Sequence, residues 1–408
     1  MSERPKIDLL DLRQYETEGQ PHDLFRWLRR NDPVHRHAEP NGPGFWAVTR
    51  YHDVEAVSRD PATYSSALGG IMIANGSAEE LAGARSMMLY MDPPRHVRYR
   101  KLVRAAFTPA SAEAVKPRIA ELSVKIVDEV IERGECDFVG DIAGELPSYV
   151  IAALMGIPLD DGRRLYLLTE KMHSDPSVVS PEDQRAASLE MLGYAREIAA
   201  RKRRRPGDDL ASVLVDAEVE GERLSDEEFD WFFLLLVNAG GDTTRNLVAG
   251  GLEVLFRNPG ELRRLQGDLD RLLPSSVEEM LRYCSPVVHM RRTATRDAEL
   301  RGHRIAAGDK VVMFYGSANR DEDVFANPDR FDIARAPNEH VAFGAGGPHF
   351  CLGAHIARAE AQAIFREVLT RMPDVEPAGA VERLASIFIA GPRRMPVRFS
   401  PGSRSARR

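Results

Sequence analysis

Phe343-Gly344-Ala345-Gly346-Gly347-Pro348-His349-Phe350-Cys351-Leu352-Gly353-Ala354 decides how this chain is read. Its glycines and proline allow backbone angles that no strand or helix uses. Beyond Cys351 the pattern turns helical, with Leu352, Ile356, Ala359 and Ala363 recurring at spacings of three and four. The cysteine therefore stands where a glycine-rich loop feeds a helix N-terminus. Loop amides and the positive end of the helix dipole both favour a thiolate at that point.

Three readings compete for such a cysteine. A small buried hydrophobe is the common role of a free thiol. Dinucleotide binding fails, because Gly344-x-Gly346 meets His349 where a third glycine should stand. A thiolate held by amides, on a loop small enough for a flat cofactor to lie against it, suits an axial haem ligand. The segment closely resembles the cysteine-ligand signature of the cytochrome P-450 haem-thiolate monooxygenases: Phe-Gly, glycines, His, any residue, Cys, any residue, Gly. The resemblance makes Cys351 the iron ligand and puts His349 and Gly353 in the haem-binding loop. One departure stands out: seven residues separate Phe343 from Cys351, one more than the usual bacterial pattern. Counting back from the cysteine, Gly347 and His349 fall in place, so the extra residue lies within Ala345-Gly346. It bears on Phe343 and the amides beside it, not on the ligand.

Composition bounds the rest. The 408 residues are 43% hydrophobic and 29% charged, enough for a large core, and no Pro/Gly/Ser-rich linker divides them. One domain is expected over residues 1–408, with a short disordered basic tail from about 401. A net charge of −7 argues against nucleic acid as a partner. The basic run Arg201–Arg205 reads as a solvated helix C-terminus. Three cysteines without a Cys-x-x-Cys pair fit a reducing cytoplasm. The longest aliphatic and aromatic run, Trp231 to Val237, is seven residues, whereas a membrane span needs about 20. A cytoplasmic protein without a membrane span is expected.

Coarse periodicity predicts a helix from Pro21-His22-Asp23 carrying Leu24, Trp27 and Leu28, a strand at Phe45–Thr49 and a short helix at Asp53–Arg59. Tyr64–Met91 has no clean period, and long loops are often functional. Pro109–Arg205 reads as helical, broken at Gly134, Gly156-Ile157-Pro158 and Asp175-Pro176, with a mobile lid expected near Val178-Val179. Asp208–Glu220 reads as a further helix. Ser225-Asp226-Glu227-Glu228 is a capping box opening a helix to about Asn258. At ~1.5 Å per residue it would span ~50 Å. Gly250-Gly251 inside it read as helix-packing glycines. Gly240-Gly241 cost roughly 1 kcal/mol each relative to alanine, and there a close approach to the backbone or a local opening is expected.

Several of these segments extend the resemblance. Ala239-Gly240-Gly241-Asp242-Thr243-Thr244 matches the family's central-helix motif, which makes Asp242 and Thr243 the acid–alcohol pair that delivers protons to bound dioxygen. Asp92-Pro93-Pro94-Arg95-His96-Val97-Arg98-Tyr99-Arg100 matches the segment whose His and Arg, here His96 and Arg100, grip haem propionates. A buried dianion needs such donors. Arg292 occupies the place of a further propionate ligand, with Arg291 an open alternative. Glu279 and Arg282 match a buried Glu–Arg–Arg cluster, with Arg330 expected as its third member.

The resemblance implies a mainly α, triangular fold with a small β lobe, and haem b (iron protoporphyrin IX) between the Asp242 helix and the Cys351 helix. It implies insertion of one atom of O2 into an unactivated C–H bond. The chain holds no flavin or nicotinamide motif, so electrons are expected from a ferredoxin and its reductase, docking near Arg98, Lys101, Arg104 and Arg358. By the same likeness the substrate pocket is lined by Ile71, Met72, Met87, Met88, Leu89, Val237, Ala239, Val287, Val288, Ile387 and Phe388, the last two on an expected strand. That lining suits a sterol, terpenoid or branched lipid. A macrolide-type substrate, with Glu79, Glu80 or Arg85 turned inward, is the alternative. A peroxide-driven or non-catalytic haem-thiolate protein is another, although an intact Asp242-Thr243 pair argues against it.

Overall fold

The computed structural model of the chain describes residues 5–173, 179–219 and 221–405. Its axis is the helix Asp226–Arg257. The expected capping box starts it: the Ser225 hydroxyl accepts from the Glu228 amide, and the Glu228 carboxylate accepts from the Ser225 amide. Helices Glu145–Met155, Pro181–Arg204, Leu269–Cys284 and Ala354–Arg371 pack around it. A helix buried on most of its circumference needs apolar residues on every face, and Phe229, Phe232, Phe233, Leu247, Leu252 and Leu255 supply them.

The glycine pairs in this helix serve different purposes. A Cβ on Gly251 would lie 2.8 Å from the Met280 sulfur and 2.9 Å from Phe365 Cζ, so this pair lets neighbouring helices approach. Beside Gly240 and Gly241 the nearest atoms, on Ile151 and Tyr166, are 3.5 and 3.9 Å away. Here the helix is unbroken, a side chain would meet only ordinary van der Waals contact, and Gly240 borders the central cavity. The local break considered from sequence does not occur.

The β lobe brings an early stretch of the chain together with one some 250 residues later. Val34–His37 pairs antiparallel with Phe45–Val48, which runs parallel to Lys310–Phe314. Lys310–Phe314 pairs antiparallel with His289–Ala294, and Tyr64–Ser65 closes the far edge. Helices His22–Asn31 and Tyr51–Arg59 form as expected.

Some expectations need correction. Asp208–Glu220 yields only the helix Leu210–Val215, because Asp216 ends it before the Glu218–Val219 ribbon. Ile387-Phe388-Ile389 is not a strand; a single bridge joins Val287 to Ile389. In the described part of the tail, the Gly402 amide donates to the Ile131 carbonyl, Arg371 to the Ser403 carbonyl, and the Ser405 amide to Asp128. Residues 406–408 and the lid position Val178 lie outside the described residues. Among those described, no helix is long and apolar enough to cross a membrane.

Candidate active site

The loop before Cys351 turns on glycines in the left-handed region: Gly344, Gly346 and Gly347 have φ of 92°, 79° and 76°. A Cβ at Gly347 would come within 2.2 Å of the Ser58 carbonyl oxygen, and the Ser58 hydroxyl donates to the Gly346 carbonyl at 2.9 Å. The extra residue is thus taken up as a bulge seated on the helix Tyr51–Arg59. Phe343 keeps its place: its carbonyl accepts from the Cys351 amide at 2.9 Å, and its ring lines the same cavity as the cysteine. Arg358 lays its guanidinium 4.6 Å from that ring centroid.

Cys351 lies deep in the molecule, and its exposed surface is the part that faces this cavity. Burial pushes its thiol pKa up, opposed by the backbone of Gly353, by Arg100 and Arg358, and by the backbone of Ala354. The amides foreseen from the loop are present, but in the free chain desolvation outweighs them. A coordinated metal would reverse that balance, since metal-bound thiols are deprotonated.

One edge of the cavity is cationic. His96, Arg100, Arg292 and His349 all line it. The two histidine rings stand 4.2 Å apart at 45°. Burial, then Arg100 and Arg292, hold His96 down to about 4, and His349 is held well below its ordinary value by burial, Arg292, His96 and Arg100. His96 Nδ1 is buried without a partner, and the one side-chain hydrogen bond of Arg292 among the described residues goes to the carbonyl of Arg291. Asp92, the acid these groups feel, commits its oxygens to the Ser65 hydroxyl and the Ser66 amide. An anion is what this edge is built to receive. Strand alternation explains the choice between the arginines: Arg292 faces the cavity, and Arg291 turns the other way.

On the central helix, Ala239 and Thr243 reach the cavity, and the Thr243 hydroxyl donates to the Ala239 carbonyl at 3.0 Å. Asp242 does not line it. Its carboxylate lies 3.5 Å from Arg245. The Arg245 guanidinium in turn donates to the Tyr166 hydroxyl at 2.6 Å and pairs with Glu170, which is partly exposed. The acid of the pair therefore sits behind the helix in a polar cluster leading outward. Sequence reasoning missed Arg245, Tyr166 and Glu170, because Arg245 lies 79 and 75 positions along the chain from its two partners. It also passed over Glu360, nine positions after Cys351. That carboxyl lines the cavity, bonds Thr244, and is pushed up to about 8 by burial. A glutamate among the small apolar residues of that helix was the available signal.

The apolar lining agrees in part with expectation. Ile71, Met88, Leu89, Ala239 and Val287 line the cavity, joined by Leu235, Leu236 and Met290. Met72 instead turns outward and is 38% exposed. Met87 packs against the main core, and Val237 faces a separate small void with Tyr166 and Thr169. Val288 and Ile387 join the cluster around Leu9 and Phe25, and the Phe388 ring stacks edge-on to His289. The residues outside the cavity share a cause: family likeness places a segment, but the local backbone, helical at Val237 and irregular at Met72, Met87, Ile387 and Phe388, selects which side chain faces in.

The Glu279 cluster also departs from expectation. Glu279 and Arg282, both fully buried, form a two-bonded pair at 2.8 Å. Arg335 supplies the third member, its Nε 3.1 Å from Oε2, while Arg330 contributes only its carbonyl, to Arg282 and Arg335. The cluster ties Ala326–Asp332 to the helix Leu269–Cys284.

These residues fit iron protoporphyrin. A sulfur opens onto a cleft of about 1550 Å³, mouth included, between two helices. One edge carries donors without an anion, with the buried His96 nitrogen still to be satisfied. Comparison with known proteins agrees. Residues 184–373 match the family model described as Cytochrome P450. The chain is 42% identical over 388 residues to a methyl-branched lipid omega-hydroxylase of Mycobacterium tuberculosis, covering 92% of this chain and 90% of that protein. It is 37% identical to a steroid C26-monooxygenase of the same organism, covering 95% and 91%. The crystal structure of Mycobacterium marinum cytochrome P450 CYP268A2 with pseudoionone superposes with a TM-score of 0.91 at 41% identity, covering 98% of this chain and all of that one. The chain belongs to the cytochrome P450 family of haem-thiolate monooxygenases, whose cofactor is haem b.

Proposed function

We propose that the protein hydroxylates an apolar lipid with a branched or polycyclic skeleton, a sterol, terpenoid or methyl-branched chain, in the cytoplasm. One observation carries the reading. Apart from the cationic edge and the Thr243–Thr244–Glu360 line, the cavity wall is apolar: Ile71, Met88, Leu89, Leu235, Leu236, Ala239, Val287 and Met290. A substrate charged in the part that meets this wall would leave that charge unpaired, at a cost of several kcal/mol (on the order of 2–7 even for an unpaired polar group). Methionines give such a wall an adaptable shape. The names of the two mycobacterial relatives, one acting on methyl-branched lipids and one on steroids, support the same class.

In this reading Cys351 holds the haem iron, and His96, Arg100 and Arg292 hold the propionates, with His349 and Gly353 shaping the loop around the sulfur. Bound haem supplies activation of O2 for insertion into a C–H bond. The chain's own part is proton handling and exclusion of water. Thr243 holds its hydroxyl at the cavity, where it could hand a proton into the site once released from the Ala239 carbonyl. Asp242 supplies Thr243 by turning away from Arg245, and Glu170 connects that pair to solvent. Electrons come from a ferredoxin and its reductase.

The macrolide alternative draws no support from Glu79 and Arg85, which are exposed, Arg85 donating to the Ala67 carbonyl, and the Glu80 side chain lies outside what the structure describes. Two measurements test the proposal. Reduced protein under carbon monoxide should give the red-shifted haem-thiolate band, lost in Cys351→Ala and kept when Cys136 or Cys284 is replaced. Burial and nearby acids push both of those thiols up to about 12. A panel of sterols, terpenoids, branched fatty acids and macrolides should shift the iron spin state for members of the first three classes. Shifts with macrolides alone would overturn the substrate class.

A further inference from the structure

Arg291 is 3% exposed, yet among the described residues it meets no carboxylate at ion-pair distance. It directs its donors to one loop. Nη1 reaches the carbonyls of Met72 at 3.2 Å and Ile73 at 3.3 Å and the Asn75 side-chain oxygen at 2.7 Å. Its amide donates to the Ile71 carbonyl at 2.9 Å, and Nη2 reaches the Thr293 hydroxyl. From the neighbouring strand, Lys310 adds a bond to the Ile73 carbonyl at 2.8 Å and pairs with Glu39. Nη1 carries two hydrogens, which it shares among the three loop oxygens, and with the Arg291 amide on the Ile71 carbonyl it holds the loop at successive residues.

The loop is shaped to receive that clasp. A Cβ at Gly69 would lie 2.1 Å from Arg291 Nη2, and Gly70, at φ 76°, has the Tyr90 ring 2.5 Å from its own Cβ position. Only with both glycines can the chain close onto Arg291. Beyond them the side chains alternate strictly. Ile71 enters the cavity, Met72 faces out, and Ile73 is buried with Leu9 and Phe25.

We propose that Arg291 is a specificity-positioning residue, which by clasping the Met72 and Ile73 carbonyls holds the loop in the register that makes Ile71, and not Met72, part of the substrate wall. This rests on the cavity being the haem and substrate site, and on no particular substrate. Rotating the loop by one residue would exchange a short branched side chain for a long flexible one beside the substrate, and one methylene in such a wall changes discrimination about 10- to 200-fold.

The test uses haem-loaded protein carrying Arg291→Gln, Arg291→Lys, Asn75→Ala, Ile71→Ala, and Arg291→Gln with Ile71→Ala. Four probes are titrated by the haem absorbance shift: cholesterol and phytanic acid, and the iron-binding azoles imidazole and clotrimazole, which differ in bulk. Haem content and hydrogen exchange of residues 69–75 are measured alongside. Arg291→Gln should keep its haem, speed exchange in the loop, and change the clotrimazole-to-imidazole Kd ratio about tenfold. Asn75→Ala, at an exposed residue, should do the same more weakly, and Arg291→Lys should recover part of the ratio. For any lipid turned over, KM should move while kcat holds. In the Ile71→Ala background Arg291→Gln should add nothing to the ratio, since the two act through one contact. Unchanged ratios in both Arg291→Gln and Asn75→Ala overturn the proposal, as do additive effects with Ile71→Ala. Should Arg291→Gln fail to load haem, Asn75→Ala and Arg291→Lys decide by the same criteria. If neither lipid binds while the azole ratio shifts as described, the substrate class proposed above is wrong and the clasp stands.

Discussion

Arg335, three residues beyond the loop Ala326–Asp332, places its Nε 3.1 Å from the carboxylate of Glu279, which is fully buried and already paired to Arg282. A buried carboxylate held by two guanidinium groups is the kind of ion cluster whose loss leaves uncompensated charge, a cost of about 3–5 kcal/mol when one partner is removed. Arg335→Ala should therefore lower stability by about that amount and yield protein poor in haem. Arg330→Ala keeps the carbonyl that the cluster uses and should behave close to wild type. Denaturant midpoints and haem-to-protein ratios for the two variants decide between the residues, and equal losses would count against the assignment.

Thr243 offers its hydroxyl at the cavity while Asp242 stays behind the helix with Arg245. Thr243→Ala should still bind haem and substrate and still consume reductant, but release hydrogen peroxide in place of much of the product. Arg245→Gln should affect coupling as well, because it loosens the cluster that links Asp242 to Glu170. The ratio of product formed to reductant consumed is the measurement. An unchanged ratio in Thr243→Ala removes the residue from proton delivery.

Glu360 gives a pH prediction with a definite sign. Burial raises its carboxyl from 4.5 to about 8, so between these values the folded chain holds a proton that the unfolded chain has released. Its contribution is fully present below 4.5 and declines as pH rises through 8, at most about 1.4 kcal/mol per pH unit. Glu360→Gln keeps a hydrogen-bonding group for Thr244 and cannot ionise. Stability of the unsubstituted chain should thus fall more steeply from pH 5 to 8 than that of the variant. Parallel urea-midpoint curves for the two would show that this carboxyl does not titrate as described.

Ferredoxin docking should depend on Lys101 and Arg104, both exposed on the helix Arg95–Arg104 that carries His96 and Arg100. Arg358 is less available than its position suggests, because two of its nitrogens bind Glu278 at 2.6 and 2.8 Å. Charge reversal at Lys101 or Arg104 should slow reduction by an acidic ferredoxin several-fold at low salt, and the difference should shrink as ionic strength rises. Stopped-flow reduction rates across a salt series test it. Rates insensitive to both changes would place the electron donor elsewhere.

Local patterns were enough for what depends on neighbours in the chain. The glycine loop running into a helix at Cys351, the capping box at Ser225 and the His96–Arg100 spacing are set by steric and hydrogen-bonding rules within a few residues. So the helices and the glycine loop that carries Cys351 were legible from local rules, whereas the cationic edge was foreseen only through the likeness of Asp92–Arg100 and Arg292 to family segments. What tertiary structure decided were the choices between neighbouring side chains. Alternation on one strand sent Arg292 to the cavity and Arg291 to the loop at Met72 and Ile73. Helical rotation carried Thr243 to the cavity and Asp242 to Arg245. Loop geometry put Arg335 where Arg330 was expected. Each outcome depends on partners distant in the chain, whose positions and desolvation are set by packing, and a one-residue change of facing is invisible to composition, spacing or motif.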